Sequence, residues 1–201
     1  MCNDYEQHVT YAQYAAAVRG LELPTPAGES EADLPVADDI RIGDLGTAMR
    51  TAGNGVELVQ MRFGFPPPRR GAGPVFNFKS DGRHFDQSKR CLIILSGFFE
   101  FTGSKYPKAK HRFTLKGSPL MAIAGLWREG TEGEPPAFTM LTTEPGPDIA
   151  PYHDRQVVVL RPEDWMAWLF LTRPESELLR PLPAGSLDVE MVRGPSDAAG
   201  A

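Results

Sequence analysis

The second residue, Cys2, carries the most distinctive chemistry in this chain. Removal of Met1, which a small second residue favours, leaves an α-amine and a thiol on adjacent carbons. Their ordinary pKa values are about 7.7–8.0 and about 8.5, so both groups are partly nucleophilic near neutral pH. The amine condenses with an aldehyde to an imine, and the thiol then closes onto that imine as a five-membered thiazolidine. Cys2 therefore predicts an aldehyde trap, unless it is an incidental second-position cysteine.

Phenylalanine surrounds a single carboxylate, Glu100, in the segment GFFEF. A carboxylate buried among aromatic rings without a cationic partner has a raised pKa, which suits a proton carrier. The alternation of side chains along a strand is equally compatible with Glu100 pointing into solvent. The sequence leaves both interpretations open.

His153 and Asn77 are the other candidates. His153 lies in PYHDRQVVVL, directly before an apolar run, where it is a general acid or a surface loop residue. Asn77 lies in VFNFKSDG and has the composition of a turn. None of these residues decides a function by itself.

The bulk composition is that of an ordinary globular protein, with 201 residues, 41% of them hydrophobic and 23% charged. A net charge of −5 does not favour a nucleic-acid partner. A local groove is still compatible with it, because basic residues gather between Arg62 and Arg90 and again from Lys105 to Arg112.

The two cysteines, Cys2 and Cys91, make no disulfide framework, and no Cys/His spacing suggests zinc, so we expect neither a metal nor a cofactor. Cys91 lies in an apolar run and is expected to be a buried, inert thiol. The sequence shows no signal peptide and no apolar stretch of roughly 20 residues. We therefore expect a cytoplasmic monomer with reduced thiols and no membrane partner.

Plentiful Gly and Pro, at 20 and 19 residues, favour short strands joined by turns. The patterns predict a β-rich α+β domain over residues 1–193, a flexible tail at 194–201, and a connection with little regular structure at 21–55. Helices are predicted at 8–18, 162–171 and 175–179. Strands are predicted at 56–61, 90–101, 112–115, 120–127, 137–143, 156–160 and 189–192.

The candidate residues fall within six short blocks that follow the initial Met-Cys pair. In their order and spacing, from Cys2 to about Val192, these blocks resemble the SRAP family, the SOS response-associated peptidases that process abasic sites. The blocks are Arg62-Phe63-Gly64, Asn77-Phe78-Lys79-Ser80-Asp81, Arg90 to Phe101, Ala124 to Trp127, Thr142-Thr143 and His153-Asp154-Arg155.

The resemblance implies a single SRAP-type domain, a barrel-like mixed sheet with a few peripheral helices. It also implies a reaction in which the family captures the ring-opened aldehyde of an abasic site through its N-terminal cysteine, with associated lyase and reversal chemistry. By the motif match, Cys2 is the nucleophile and Asn77 holds the reacting centre. Glu100 moves protons, and His153 is the paired acid or base. The same cysteine is expected to release Met1 by self-cleavage.

The implied partner is single-stranded DNA containing abasic sites. An abasic sugar within a duplex is hard to reach, whereas a groove with cations and aromatic rings can hold splayed bases. The residues we expect to contact DNA in such a groove are Arg62, Phe63, Lys79 and Arg155.

The departures from the family pattern are concentrated where DNA is expected to bind. Gly-Arg after Cys2 is replaced by Asn3-Asp4, and the reversed charge is expected to repel phosphate. The other changes are Trp to Phe63, Arg to Lys79, Glu to Asp81, and Met-Pro to Gln156-Val157. Three interpretations remain: a divergent abasic-site crosslinker, an N-terminal-cysteine peptidase or amidase acting on another substrate, and a single-stranded-DNA-binding module without catalysis.

Overall fold

The computed structural model describes residues 2–19, 35–131 and 133–194. Within these ranges, thirteen strands and three helices form the β-rich α+β fold that the sequence predicts. The helices are α1 (Tyr11–Arg19), α2 (Pro162–Phe170) and α3 (Glu175–Leu178). The strands are β1 (Asp4–Gln7), β2 (Ala37–Arg41), β3 (Leu45–Ala52), β4 (Gly55–Phe63), β5 (Asn77–Lys79), β6 (Arg90–Leu95), β7 (Gly97–Thr102), β8 (Ala109–Leu115), β9 (Met121–Arg128), β10 (Ala137–Thr143), β11 (Gln156–Val157), β12 (Val159–Leu160) and β13 (Leu187–Arg193).

Local sequence signals explain where the helices begin. Thr10 and Gln13 bond each other reciprocally, since the Thr10 hydroxyl accepts from the backbone N–H of Gln13 and the Gln13 amide oxygen accepts from that of Thr10. This capping box satisfies backbone donors at the start of α1. The next helix, α2, has Pro162 at its first position and the acids Glu163 and Asp164 in its first turn, beside the positive end of the helix dipole.

The strands form two sheets. The smaller sheet has the order β13-β8-β7-β1-β2. The larger has the order β11-β10-β4-β3-β6-β9-β12, with β5 paired to β10. Because β10 pairs with both β4 and β9, five strands close into a ring, and the parallel pairs β10–β4 and β10–β5 make the sheet mixed. The barrel-like mixed sheet expected from the resemblance is confirmed.

Two apolar clusters lie on the two faces of the larger sheet. The cluster on the helical face holds Trp165 and Trp168 of α2 against Leu92 and Ile94. The other cluster packs the two sheets together and contains Cys2. The strands at the centre are covered on both sides, so all seven residues of β10 are buried. The side chain of Cys2 is therefore buried between the two sheets.

The apolar segment 90–101, predicted as one strand, is two strands of different sheets. The chain bends at Ser96, so that β6 belongs to the larger sheet and β7 to the smaller. A Cβ atom at Gly97 would lie 2.9 Å from the Glu6 carboxylate and 3.1 Å from the Phe113 carbonyl. Glycine therefore provides the close approach at which the chain changes sheets.

The prediction of an irregular connection over 21–55 is wrong for the strands β2 and β3. The sequence of β2, ADDIR, is mostly polar because this strand lies at the edge of its sheet and buries only Ile40. Residues 20–34 lie outside the described residues. So do residues 195–201, which make up most of the predicted tail, and the domain boundary after residue 193 stays a prediction.

Candidate active site at Cys2

Cys2 lies two residues before the start of β1, which joins the smaller sheet between β2 and β7. The side chain is fully buried, and its Sγ donates to the backbone carbonyl of Asp4 at 3.4 Å. Burial raises the pKa of the Cys2 thiol well above its usual range, and the charge of Glu100 raises it further. The thiol therefore keeps its proton at neutral pH and needs a base to react as a thiolate.

Asn77 holds the backbone of Cys2. It is the first residue of β5, where it pairs with Met140 of β10, so it belongs to a strand and not to a turn. Its Nδ2 donates to the carbonyl oxygen of Cys2 at 2.9 Å. This bond connects the N-terminal segment to the larger sheet, and it provides the contact expected of a group that orients Cys2.

Glu100 is buried, with a residue exposure of 1%, so of its two sequence interpretations the structure selects the inward-facing one. Burial raises the pKa of its carboxyl to about 7. Near neutral pH both the acid and the carboxylate are therefore present in quantity. Glu100 also acts electrostatically on the Cys2 thiol. A proton carrier beside the sulfur requires this combination of position and pKa.

His153 lies in the loop between β10 and β11. Its Nδ1 is 3.0 Å from the backbone nitrogen of Arg155 and 2.8 Å from the carboxylate of Asp154. A neutral ring accepts a hydrogen bond from the Arg155 N–H, whereas a protonated ring can donate to Asp154. Burial is the main cause that lowers the pKa of His153 below its usual value. The neutral ring is thus favoured near pH 7.

A cavity of about 490 Å³ brings Glu100 and His153 together, with Asn3 and Asp4 also in its wall. The structure thereby assembles the four predicted residues. Cys2 contacts Asn77 and is influenced by Glu100, and Glu100 shares the cavity with His153. The site combines a buried thiol, an amide donor and two titratable groups.

Asp4 is placed differently from what its sequence position suggests. Its side chain is buried, with an exposure of 5%, and one carboxylate oxygen lies 2.9 Å from Nζ of Lys110. Lys110 also pairs with Asp39, and its ammonium lies 3.6 Å from the centre of the Phe99 ring. The structure therefore pairs Asp4 with a cation inside the protein, and the expected repulsion of phosphate stays a prediction.

Sequence reasoning missed His111, which lies directly opposite Glu100 on the neighbouring strand β8. Its Nε2 is 2.8 Å from the Thr102 hydroxyl, and its ring lies 4.7 Å from that of Tyr152, next to His153. Opposed residues of paired strands face the same side of the sheet, so His111 flanks the site. Only the strand register reveals this, and no spacing in the sequence does.

The structure corrects the predicted stacking role of Phe63. Its side chain is fully buried. The ring stacks on Phe138 at a centroid distance of 5.1 Å and meets Tyr5 edge-on at 5.7 Å. Phe63 is therefore part of the core between the sheets, and it offers no surface to a base.

The other predicted DNA contacts are at the surface but partly engaged. Arg62 pairs with Glu134 at 2.5 Å and lines a different cavity, of about 730 Å³. Lys79 is exposed at the end of β5. Arg155 donates to Asp81 at 2.5 Å and to the carbonyl of Thr142 at 2.9 Å, and its proximity lowers the pKa of Asp81. Arg155 thus braces the loop that carries His153, and the DNA contacts of these residues stay predictions.

The described residues contain no cluster of three or more His, Cys, Asp or Glu side chains suited to holding a metal ion. Among the helices in the described ranges, none has the length and apolar character required to cross a membrane.

Comparison with known proteins agrees with this fold and gives the family. The sequence profile described as SOS response associated peptidase (SRAP) matches residues 1–194, and the chain belongs to that family. It is 34% identical over 114 residues to the abasic site processing protein YoqW of Bacillus subtilis, a match that spans 52% of this chain and 50% of the relative. An abasic site processing protein of Saccharomyces cerevisiae is 28% identical over 85 residues, which cover 41% of this chain and 23% of the relative.

The match thus spans half or less of the length of these curated relatives. A crystal structure of a protein from Bordetella bronchiseptica superimposes with a TM-score of 0.71 and covers 96% of this chain and all of the other at 24% identity. At that identity the likeness concerns the fold.

Proposed function

We propose that this protein crosslinks itself, through Cys2, to the aldehyde of an abasic site in single-stranded DNA. The hydrogen bond from Asn77 to the Cys2 carbonyl, at 2.9 Å, carries the proposal. It holds Cys2 in one orientation, with the thiol buried within electrostatic reach of Glu100. A residue that only happens to be second in a chain has no need of such an anchor. Membership of the SRAP family and the names of the relatives support the same DNA lesion as substrate.

The first covalent step joins the α-amine of Cys2 to the aldehyde carbon. The nitrogen adds to the carbonyl, and loss of one water from the carbinolamine gives the imine. The departing hydroxyl takes up a proton, and the acid form of Glu100 supplies it, because a carboxyl with a pKa of about 7 is still largely protonated at slightly acidic pH. The carbinolamine nitrogen loses its own proton as the imine forms, and His153, in the same cavity, is the paired carrier that accepts it.

The second step closes the ring. The sulfur of Cys2 adds to the imine carbon, the S–H bond breaks, and the nitrogen gains a proton to give the thiazolidine. Because burial keeps the thiol protonated, the proton must leave as the sulfur attacks. The carboxylate form of Glu100 accepts it and returns a proton to the nitrogen. Water is the sole product besides the crosslink, and no oxidant is required.

Release of Met1 must come before both steps, because a peptide-bonded nitrogen cannot form the imine. We propose that the Cys2 sulfur attacks the Met1 carbonyl, so that the acyl group passes from nitrogen to sulfur and the α-amine becomes free. Water then hydrolyses the thioester and releases methionine. Glu100 and His153 carry the protons of these steps also.

The direct test uses single-stranded DNA containing one abasic site, incubated with the protein whose Met1 has been removed. A denaturing gel should show a shifted, heat-stable band. Intact-mass measurement should give the sum of the two masses less one water. Cys2→Ala should abolish the band, while Cys91→Ala, which removes the other buried thiol, should leave it.

Two results would contradict the proposal. One is that no crosslink forms at any of the salt concentrations tested, although the mass of the protein confirms that Met1 has been lost. The other is a crosslink of equal yield in Cys2→Ala, which would assign the reaction to a lysine or another amine. An extended N-terminal leader tests self-cleavage separately, since Glu100→Gln and His153→Ala should both block its removal.

A further inference from the structure

The loop between β7 and β8 carries an aromatic ring and a cation to the edge of the candidate active site. Tyr106 is 86% exposed, the largest exposed fraction of the large hydrophobic side chains in the described part of the chain. Lys108 follows two residues later, and its Nζ lies 5.8 Å from the centre of the Tyr106 ring. Both side chains line the cavity that contains Glu100 and His153.

Arg193, at the end of β13, completes this group. Its Nε and Nη2 each donate to the backbone carbonyl of Lys108 at 3.3 Å. The guanidinium is thus attached to the base of the β7–β8 loop and lines the same cavity. Two cationic side chains therefore line the wall of the same cavity.

These two cations differ from the others nearby in lacking a carboxylate. Within the described residues, no Asp or Glu oxygen lies within 4.0 Å of Lys108 or Arg193, whereas Lys110 is paired with Asp4 and Asp39. Like charges held together without a counter-ion make a binding site for an anion. The charge of Lys108 also reaches His153, where it is among the causes that lower the pKa of the ring.

An exposed aromatic ring beside unneutralised cations is the arrangement by which proteins hold single strands of nucleic acid. Bases stack on the ring, and the cations contact the phosphates that follow. A membrane surface or an acidic peptide needs the cations but not a ring placed at the mouth of a catalytic cavity. Because the ring and the cations line the cavity that contains Glu100 and His153, they favour the damaged single-stranded DNA as the ligand.

We propose that Tyr106, Lys108 and Arg193 form a binding site for the single-stranded DNA next to the abasic sugar, with Tyr106 stacked on a neighbouring base and the two cations on the adjoining phosphates. The inference rests on the proposed function, since it assigns the DNA next to the abasic sugar to the cavity that contains Glu100 and His153. It also gives the chain a way to bind DNA although Asp4 stands where the family pattern has an arginine and Phe63, an expected DNA contact, is buried.

The test is the affinity of the full-length chain for an unmodified single-stranded deoxythymidine oligomer, measured by fluorescence anisotropy at several salt concentrations. Tyr106→Ala should weaken binding about tenfold, whereas Tyr106→Phe, which keeps the ring, should bind as the wild type does. The double variant Lys108→Gln/Arg193→Gln should reduce the slope of log affinity against log salt by roughly 1.4, or 0.7 for each phosphate contact. Lys116→Gln, an exposed lysine at the other end of β8, is the matched control and should leave the slope unchanged.

Crosslinking to abasic DNA is measured in parallel, so that the two proposals fail separately. If the wild type crosslinks and these variants bind the plain oligomer with unchanged affinity and slope, the binding site is wrong and the function of Cys2 stands. If the variants lose affinity but the wild type never crosslinks, the binding site is supported and the reaction is wrong. Equal losses in Lys116→Gln would also overturn the inference, since binding would then follow net charge alone.

Discussion

The two cysteines of this protein occupy similarly buried positions in the same apolar cluster between the sheets. Burial raises the pKa of both thiols well above the usual range. Their neighbours differ. Cys91 lies within β6, its carbonyl accepts from the indole of Trp168, and burial alone shifts its pKa. Cys2 is anchored by Asn77 and influenced by Glu100.

The difference between the thiols shows that burial and a raised pKa do not by themselves indicate reactivity. What separates Cys2 from Cys91 is a titratable carboxyl within electrostatic reach and an adjoining cavity. A nucleophile also needs a place for its proton, and only the surroundings of Cys2 provide one. Four predictions follow from this contrast, from the largest expected effect to the smallest.

Glu100→Gln should reduce the rate of crosslinking by about 100-fold or more, the usual contribution of a positioned acid–base group. Glutamine keeps the shape of the side chain but neither takes nor returns a proton. Single-turnover kinetics against abasic single-stranded DNA provide the measurement, with Glu163→Gln, an exposed residue of α2, as the control. A rate within threefold of the wild type would show that Glu100 takes no part in the reaction. The nearby carboxyl would then no longer explain why Cys2 reacts and Cys91 does not.

The same substitution should change how stability depends on pH. In the folded protein Glu100 has a pKa of about 7, raised from an ordinary value of 4.5, so the folded state binds the proton more tightly than the unfolded state. Its contribution is fully present below pH 4.5 and is lost as pH rises through 7. Between pH 4 and pH 8, the free energy of unfolding of the wild type should fall by about 3 kcal/mol relative to Glu100→Gln. Urea unfolding at both pH values measures this, and parallel curves would contradict the burial argument.

Asn77→Ala should slow crosslinking about fivefold, because one hydrogen bond contributes roughly 1 kcal/mol net and the Cys2 carbonyl would lose its donor. Asn77→Asp is the sharper variant, since it keeps the size of the side chain and replaces the donor by a charge. It should slow the reaction at least as much as Asn77→Ala. Unchanged rates in both variants would show that the N-terminal segment is held without this bond.

Cys91→Ala should leave the rate of crosslinking within about twofold of the wild type, since the thiol has no role in the reaction. We expect a loss of stability of about 1 kcal/mol from the small cavity left in the core. Thermal unfolding and the gel assay measure the two effects on one sample. A large loss of crosslinking with little loss of stability would show that the apolar thiol takes part after all.

Much of the fold could be predicted from sequence patterns. The strand 137–143 and the helix beginning at Pro162 were correctly predicted, because continuous apolar character and helix-start chemistry are local signals. The break at Ser96 was not, since the run RCLIILSGFFEF stays apolar while the chain passes from one sheet to another. The strands β2 and β3 were missed because edge exposure and small side chains weaken the alternation.

The sequence by itself determined the chemical inventory: a second-position cysteine, a carboxylate among phenylalanines, and a histidine before an apolar strand. Only the tertiary structure decided which of these meet. Asn77 reaches Cys2 across 75 positions of the chain, and Lys110 neutralises Asp4 across a still longer separation. Strand register decides such contacts, and register depends on how two sheets pack together, which no short segment encodes. For the same reason Phe63, which the motif predicts to be at the surface, lies in the core, whereas the ring of Tyr106 is exposed.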